Sequence, residues 1–262
     1  MNVSAIQIEN LRLDLSSTPI LKGISLSVPA GEYLSIIGPN GAGKTSLIKC
    51  LAGIYSNWIG TIQIQGKSAR EYDSKTLART QSYVPQAQGR FSPLTVEEFV
   101  AMGRYPHLSA FSTMQTEDYT AIDAAIRQAG LESLRHRKLD TLSGGERQMT
   151  FIAAALAQES NILLLDEPAT FLDYRHQAEV VALLRAACAE HHITILAVHH
   201  DINLALASSH RILALKAGTV CFEGTPQEIA SAELLESIYD TPFRTISDPH
   251  SILPLVLPEG IK

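Results

Sequence analysis

The sequence predicts an α/β fold with a helical lobe inserted into it. Three observations carry that prediction. The apolar run "EYLSIIG" leads through "GPNGAGKT" into the helical pattern "KTSLIKCLAGI", a strand–loop–helix unit. The bounded apolar runs "NILLLDEP" and "ITILAVHHD" flank the helical "HQAEVVALLRAACAEH", a βαβ unit with a right-handed crossover. From about Leu94 to Gln158 the texture is helical, in "TVEEFVAMG", "TEDYTAIDAAIRQAGL" and "ERQMTFIAAALAQ".

Taken in order, "AIQIENLRLDL" and "LKGISLSVPAG" alternate as strands, with Pro29-Ala30-Gly31 as a turn. The helix after "GPNGAGKT" is stopped near Gly53, and "GTIQIQG" alternates again as a strand. In the last helix of the lobe, Met149, Ile152 and Leu156 share a face. "GTPQEIASAELLESIY" reads as a helix with Thr225 as N-cap, Pro226 at its first position and Glu228 closing a capping box. "SILPLVLPEGIK" is interrupted by prolines and receives no assignment. The expected lobes are 1–85 with 160–246 as the core, 87–159 as the helical lobe, and 247–262 as a tail.

The chain has 262 residues, enough for one large α/β domain with an inserted lobe. Hydrophobic residues at 45 % promise a packed core, and a net charge of −6 argues against broad nucleic-acid binding. The scattered Cys50, Cys188 and Cys221 form neither a metal spacing nor a disulfide framework, which fits a reducing cytoplasm. No basic-then-apolar leader and no long apolar run is visible, so a cytoplasmic protein is expected, docking on a membrane only through a partner.

"GPNGAGKT" fits G-x-x-x-x-G-K-[ST] with the strand before and helix after that the motif needs. The backbone of Gly38, Pro39, Asn40, Gly41, Ala42 and Gly43 can turn successive N–H groups onto phosphate oxygens. Lys44 adds a charge for the β- and γ-phosphates, Thr45 offers a hydroxyl to Mg²⁺, and Ser46 completes the first turn. "NILLLDEP" ends a buried strand in two acids at the edge where ligands bind in open α/β sheets. Asp166 there would hold Mg²⁺ through water, and Glu167 would polarise the attacking water. A second anion-ready turn lies at "TLSGGERQ". Ser143-x-x-Glu146 is an ordinary capping box, but a cap needs neither Gly144 nor Gly145, whereas close approach of backbone to phosphate does.

"GPNGAGKT", "YVPQ", "LSGGERQ", "LLLDEP", "FLD" and "VHHD" occur here in the order seen in ABC-type ATPase cassettes, and the sequence resembles that family over nearly its whole length. The resemblance implies a P-loop NTPase (RecA-like) core, an N-terminal antiparallel β-subdomain and an inserted helical subdomain. It also explains two phosphate cradles in one chain. Two cassettes of that family pair head to tail, so Ser143, Gly144, Gly145 and Glu146 would bind in trans the γ-phosphate held by the partner copy's phosphate loop. Gln86 matches the glutamine that touches Mg²⁺ and the water, and Asp173 matches the aspartate at the dimer seam. The family's His-Asp pair selects His200 over His199 for γ-phosphate contact. A zinc pair from the two histidines is disfavoured because adjacent strand residues point to opposite faces. Two departures stand out. The adenine-stacking aromatic falls on Leu15, which gives apolar contact without ring stacking. After the signature, the usual basic position is lost in Ala153-Ala154-Ala155-Leu156.

"LTVEEFVAMGRYPH" and "RHQAEVVALL" resemble cassettes of importers for iron–siderophore complexes, haem and cobalamin. That likeness implies ATP and Mg²⁺ as ligands and a cassette homodimer on the cytoplasmic membrane face. It further implies two integral-membrane permease subunits, a substrate-binding protein outside, and no nucleic acid. Gln86–His107, with Phe91, Phe99 and Tyr105, is expected to form the groove that receives a permease helix. The alternatives are an exporter cassette, a cassette serving nucleic acid or an assembly, and a module that holds ATP without turnover.

Overall fold

The computed structural model describes residues 4–86, 93–109, 112–247 and 252–259. Two compact units divide the chain: Met1–Glu71 with Thr194–Lys262, and the contiguous Tyr72–Ile193.

The first unit opens on an antiparallel hairpin, Ser4–Leu15 with Thr18–Pro29. Ser16 and Ser17 both take positive φ at its turn, the backbone hand that suits a tight two-residue hairpin. Ile59–Ile64 pairs antiparallel with the first strand and Lys67–Ser68 borders it. Alternation is real here: Ile6, Ile8, Leu11, Leu13 and, opposite, Leu21, Ile24, Leu26 and Val28 are buried, while the residues between them face out.

The unit's second sheet centres on Tyr33–Ile37, flanked in parallel by Thr194–Val198 and Arg211–Lys216; Thr219–Gly224 pairs antiparallel with the latter. All five residues of each of the strands Tyr33–Ile37 and Thr194–Val198 are buried, as a strand covered on both faces requires. Helix Lys44–Leu51 follows the first of these strands, and helix Ile202–Ser208 follows the second.

Towards the C-terminus the Thr225–Glu228 capping box and Pro226 form as the sequence predicts, but the single expected helix is two, Pro226–Ile229 and Ala232–Tyr239. The break lies at Ser231, whose hydroxyl accepts from the Leu234 N–H and starts a new helix. The unassigned tail also has structure: Leu255–Pro258 pairs antiparallel with Phe243–Ile246.

The second unit holds the parallel pair Gln81–Val84 and Ile162–Asp166 and the helices Ser74–Thr80, Val96–Ala101, Thr116–Gln128, Gly144–Ala157 and Tyr174–His191. Val96–Ala101 and Thr116–Gln128 both pack on Gly144–Ala157. They bury Val96, Val100, Ile122 and Ile126 together with Met149, Ile152 and Ala153; Leu156 is half-buried. Inside this lobe Arg104 is only 4 % exposed. Its guanidinium donates to Asp118 (2.9 Å), Glu159 (2.7 Å) and the Ala157 carbonyl (2.7 Å). With its charge committed internally, Arg104 ties the lobe together and does not face a partner.

Candidate nucleotide site

The phosphate loop begins where the buried strand Tyr33–Ile37 ends. Gly38 sits at φ 137°, and a Cβ there would lie 2.0 Å from the Leu215 carbonyl oxygen. Gly43, the N-cap of the following helix, has φ 99° and would press a Cβ to 2.8 Å from Leu21 Cδ2. Both glycines are therefore demanded by the chain's own packing. Between them Ala42 is buried and Asn40 and Gly41 are exposed. The Gly38 N–H donates to the Tyr239 hydroxyl at 3.1 Å. Lys44 is 6 % exposed, and its ammonium donates to the carbonyls of Gly38 (2.7 Å) and Pro39 (3.0 Å), arching back over the loop. Thr45 and Ser46 are half-buried at the start of a helix whose own first turn carries no acid, so its positive end is not opposed from within the helix. Leu15 is half-buried at the tip of the N-terminal hairpin, paired with Thr18.

In the same unit the two adjacent histidines part. His199 is 3 % exposed, with its Nε2 3.5 Å from the Tyr33 hydroxyl, and burial holds its pKa down at about 4. His200 is exposed, one residue before Asp201, whose carboxylate caps the next helix by accepting from Asn203 and Leu204. Of the two, only His200 presents surface to solvent.

In the other unit Asp166 ends its strand with 4 % exposure. Glu167 follows at φ 56°, a left-handed backbone for a non-glycine residue and a sign of stored strain. Its Oε2 accepts from Gln86 Nε2 at 2.6 Å, so residues 81 positions apart in sequence meet at the carboxylate.

The signature turn is built differently. Ser143 caps helix Gly144–Ala157 by accepting from the Glu146 N–H (3.2 Å), and Glu146 accepts from the Ser143 N–H (2.7 Å). That N–H above all, with the Ser143 hydroxyl, holds the Glu146 carboxyl below its ordinary pKa. A Cβ on Gly145 would lie 2.2 Å from Cγ of His176, whereas one on Gly144 would meet nothing within 4 Å. Gly145 thus has an internal reason in the His176 ring, and Gly144 has none.

Asp173 caps helix Tyr174–His191, accepting from the N–H of His176 (2.9 Å) and from its Nδ1 (2.8 Å). Those bonds lower its pKa. On either side, Phe171 is 90 % and Tyr174 91 % exposed. Sequence reading singled out Asp173 but not these two aromatics, since nothing in "TFLDY" distinguishes an exposed ring from a buried one.

Of the stretch Gln86–His107 expected to form a groove, Phe99, Met102 and Gly103 line a cavity. The cavity, of about 240 Å³, is also lined by Tyr83, Pro85, Phe151 and Ala155, among others, with the Phe99 and Phe151 rings 5.1 Å apart. Tyr105 is exposed, Arg104 is withdrawn as described, and Phe91 lies outside the described residues.

A glycine-rich loop between a buried strand and a helix, with a buried lysine and an acid-ended strand, defines an α/β nucleotide-binding ATPase of the P-loop kind. The ABC transporter family model matches residues 21–170. The chain is 38 % identical over 259 residues to the ferric enterobactin transport ATP-binding protein FepC of Escherichia coli (strain K12), covering 99 % of this chain and 96 % of that protein. It is 36 % identical over 255 residues to the iron(3+)-hydroxamate import ATP-binding protein FhuC of Bacillus subtilis (strain 168), covering 97 % and 95 %. Among solved structures, an inward-facing ABC transporter described as of metal-chelate type superposes with a TM-score of 0.86 at 27 % identity, covering 99 % of this chain and 98 % of that one. A dimeric bacterial ABC transporter cassette superposes with 0.73 at 28 % identity, covering 84 % and 98 %. The chain belongs to the ABC transporter family, as an ATP-binding, ATP-hydrolysing subunit. Such a subunit works with permease partners and as a dimeric cassette. Among the described residues no helix is long and apolar enough to cross a membrane.

Proposed function

We propose that the chain powers uptake of a ferric siderophore or a related metal chelate. It would act as a cassette homodimer on the cytoplasmic face of the membrane, beneath two permease subunits supplied by an external binding protein. The observation that carries the dimer is the exposed Gly144, a glycine the chain's own packing does not require, together with the exposed rings of Phe171 and Tyr174 beside Asp173. The names and near-complete overlap of the iron–siderophore relatives support the cargo class, and the apolar cavity at Phe99 and Phe151 supports a permease helix as the docking partner.

In this reading the backbone N–H groups of Gly38–Gly43 and the Lys44 ammonium hold the β- and γ-phosphates of ATP, while Ser46 extends the cradle and Leu15 lies against the base. Ser143 and Gly144 of the second copy close over the γ-phosphate. Glu167 accepts a proton from the attacking water as oxygen bonds to the γ-phosphorus and the bond to ADP breaks; Gln86 holds that carboxylate, and His200 contacts the γ-phosphate. The donors assigned to Mg²⁺ (Thr45 hydroxyl, Gln86 amide, Asp166 carboxylate) are all oxygens, as that ion prefers. Among the described residues no group of three or more His, Cys, Asp or Glu is placed to hold a metal ion. When bound, Mg²⁺ neutralises charge on the β- and γ-phosphate oxygens.

The test is uptake by the reconstituted transporter, offered ferric hydroxamate, ferric catecholate, haem and cobalamin in turn. ATP-dependent uptake of a ferric siderophore supports the cargo; uptake of cobalamin or haem alone moves it to that chelate, and export contradicts the reading.

A further inference from the structure

The C-terminal part of the first unit touches the phosphate loop in a way the reaction described above does not use. Tyr239, the last residue of helix Ala232–Tyr239, places its hydroxyl 3.1 Å from the Gly38 backbone nitrogen, where it accepts that N–H. Gly38 is the buried first residue of the loop, wedged against the Leu215 carbonyl, so its peptide has little room to find another partner. Burial pushes the Tyr239 phenol up to about 12, so it remains a neutral hydroxyl throughout the range in which enzymes work.

Tyr239 is itself held from several sides. Lys216 donates to the Ser237 carbonyl (2.6 Å) and to Asp240 (2.7 Å), pinning the end of the helix. The Tyr239 ring packs on Phe243, with centroids 5.7 Å apart. Phe243 begins the strand that pairs with Leu255–Pro258. That second strand is clamped by the Asn203 side chain, which donates to the Val256 carbonyl (3.0 Å) and accepts the Val256 N–H (2.9 Å). Val256 is buried in one cluster with Ile37, the residue just before Gly38, and with Ala205 and Leu206. A side-chain amide that satisfies both polar groups of one peptide fixes register as well as distance.

We propose that Tyr239 is a positioning residue for ATP binding: it holds the entry of the phosphate loop in its binding shape, and the C-terminal hairpin, anchored by Asn203, holds Tyr239. This rests on the assignment of Gly38–Ser46 to the phosphates of ATP. In Tyr239→Phe the ring and its packing stay, and only the acceptor for the Gly38 N–H goes. Loss of one such buried bond corresponds to roughly a five- to tenfold effect.

The experiment measures KM for ATP, kcat and thermal midpoint in full-length wild type, Tyr239→Phe, Asn203→Ala and the double variant, with Lys44→Ala as control. KM in Tyr239→Phe is expected to rise about fivefold or more, with kcat within about twofold. Asn203→Ala is expected to raise KM less, and the double variant to be no worse than Tyr239→Phe alone, because the two act in one chain of contacts. A merely structural role would lower the thermal midpoint and leave KM of the folded protein unchanged. If Lys44→Ala loses ATP binding while Tyr239→Phe keeps the wild-type KM, the inference fails and the nucleotide assignment stands. If Lys44→Ala binds ATP as wild type does, the assignment itself fails, and the inference with it.

Discussion

The phosphate loop and the signature turn are both glycine-rich starts of helices, yet they are made in opposite ways. In the phosphate loop the chain itself demands glycine: Gly38 is pressed on the Leu215 carbonyl, Gly43 on Leu21, and Lys44 closes over the carbonyls of Gly38 and Pro39. In the signature turn the capping box between Ser143 and Glu146 already satisfies the helix end. Gly145 is held by the His176 ring, and Gly144 faces open space. The first cradle is finished within one chain. The second offers an exposed backbone that only something outside the chain's own packing can use, which is the physical case for a shared site.

The strongest way to break that comparison is substitution of the glycines themselves. Gly38→Ala is expected to cost about 3 kcal/mol or more of stability, since φ 137° and a 2.0 Å contact with backbone leave no relaxed position for a methyl group. Gly144→Ala is expected to leave stability within about 0.5 kcal/mol of wild type while depressing ATPase activity at least about tenfold. Chemical denaturation beside steady-state ATPase assays would check both; equal stability losses at the two positions would dissolve the contrast.

Glu167→Gln sharpens the catalytic side. Loss of the proton acceptor is expected to lower ATP turnover by about 10²- to 10⁴-fold without weakening ATP binding. Glu167→Gly should be equally inactive but more stable by about 1 kcal/mol, because glycine tolerates the φ of 56° that glutamate must be forced to adopt. A Glu167→Gln enzyme with unchanged turnover would remove Glu167 from the chemistry.

Gly145→Ala tests whether that residue serves packing. It is expected to destabilise by about 1–3 kcal/mol through its clash with His176, and His176→Ala in the same chain should restore most of the loss. No recovery in the double variant would mean that the ring is not what requires glycine there.

The buried His199 supplies a pH signature for the first unit. Its pKa lies at about 4 in the folded protein against an ordinary 6.5. Above pH 6.5 it is neutral in both folded and unfolded chains and contributes no pH dependence. Between 6.5 and about 4 the unfolded chain binds a proton that the folded one refuses, so stability falls as pH falls, by up to roughly 3 kcal/mol from this residue. His199→Gln should flatten that stretch of the stability–pH curve; an unchanged slope would show that the ring is protonated in place.

How much of this was written in the sequence follows from how local each cause is. The strand–loop–helix of the phosphate loop and the Thr225–Glu228 box depend on neighbouring residues, and they were legible. The break at Ser231 was not: a serine followed by "AELLE" fits a continuing helix as well as a fresh cap. The pairing of Phe243–Ile246 with Leu255–Pro258 was hidden because prolines mask the alternation and the anchor, Asn203, lies about fifty residues upstream. The reason for Gly145 was hidden likewise, since His176 is 31 residues away in sequence. The enclosure of Arg104 was hidden too, since its partners Asp118 and Glu159 lie 14 and 55 residues away in sequence.

The central claim is that ATP is gripped by two copies, each lending its signature turn to the other. The direct measurement is the solution mass of the slow-turnover Glu167→Gln chain with Mg-ATP, with and without the added substitutions Ser143→Ala and Gly144→Ala. The account predicts twice the 28.5 kDa chain mass with the signature intact and a single chain without it. It would be contradicted by an otherwise wild-type chain that carries the altered signature, remains a monomer and still hydrolyses ATP at the normal rate.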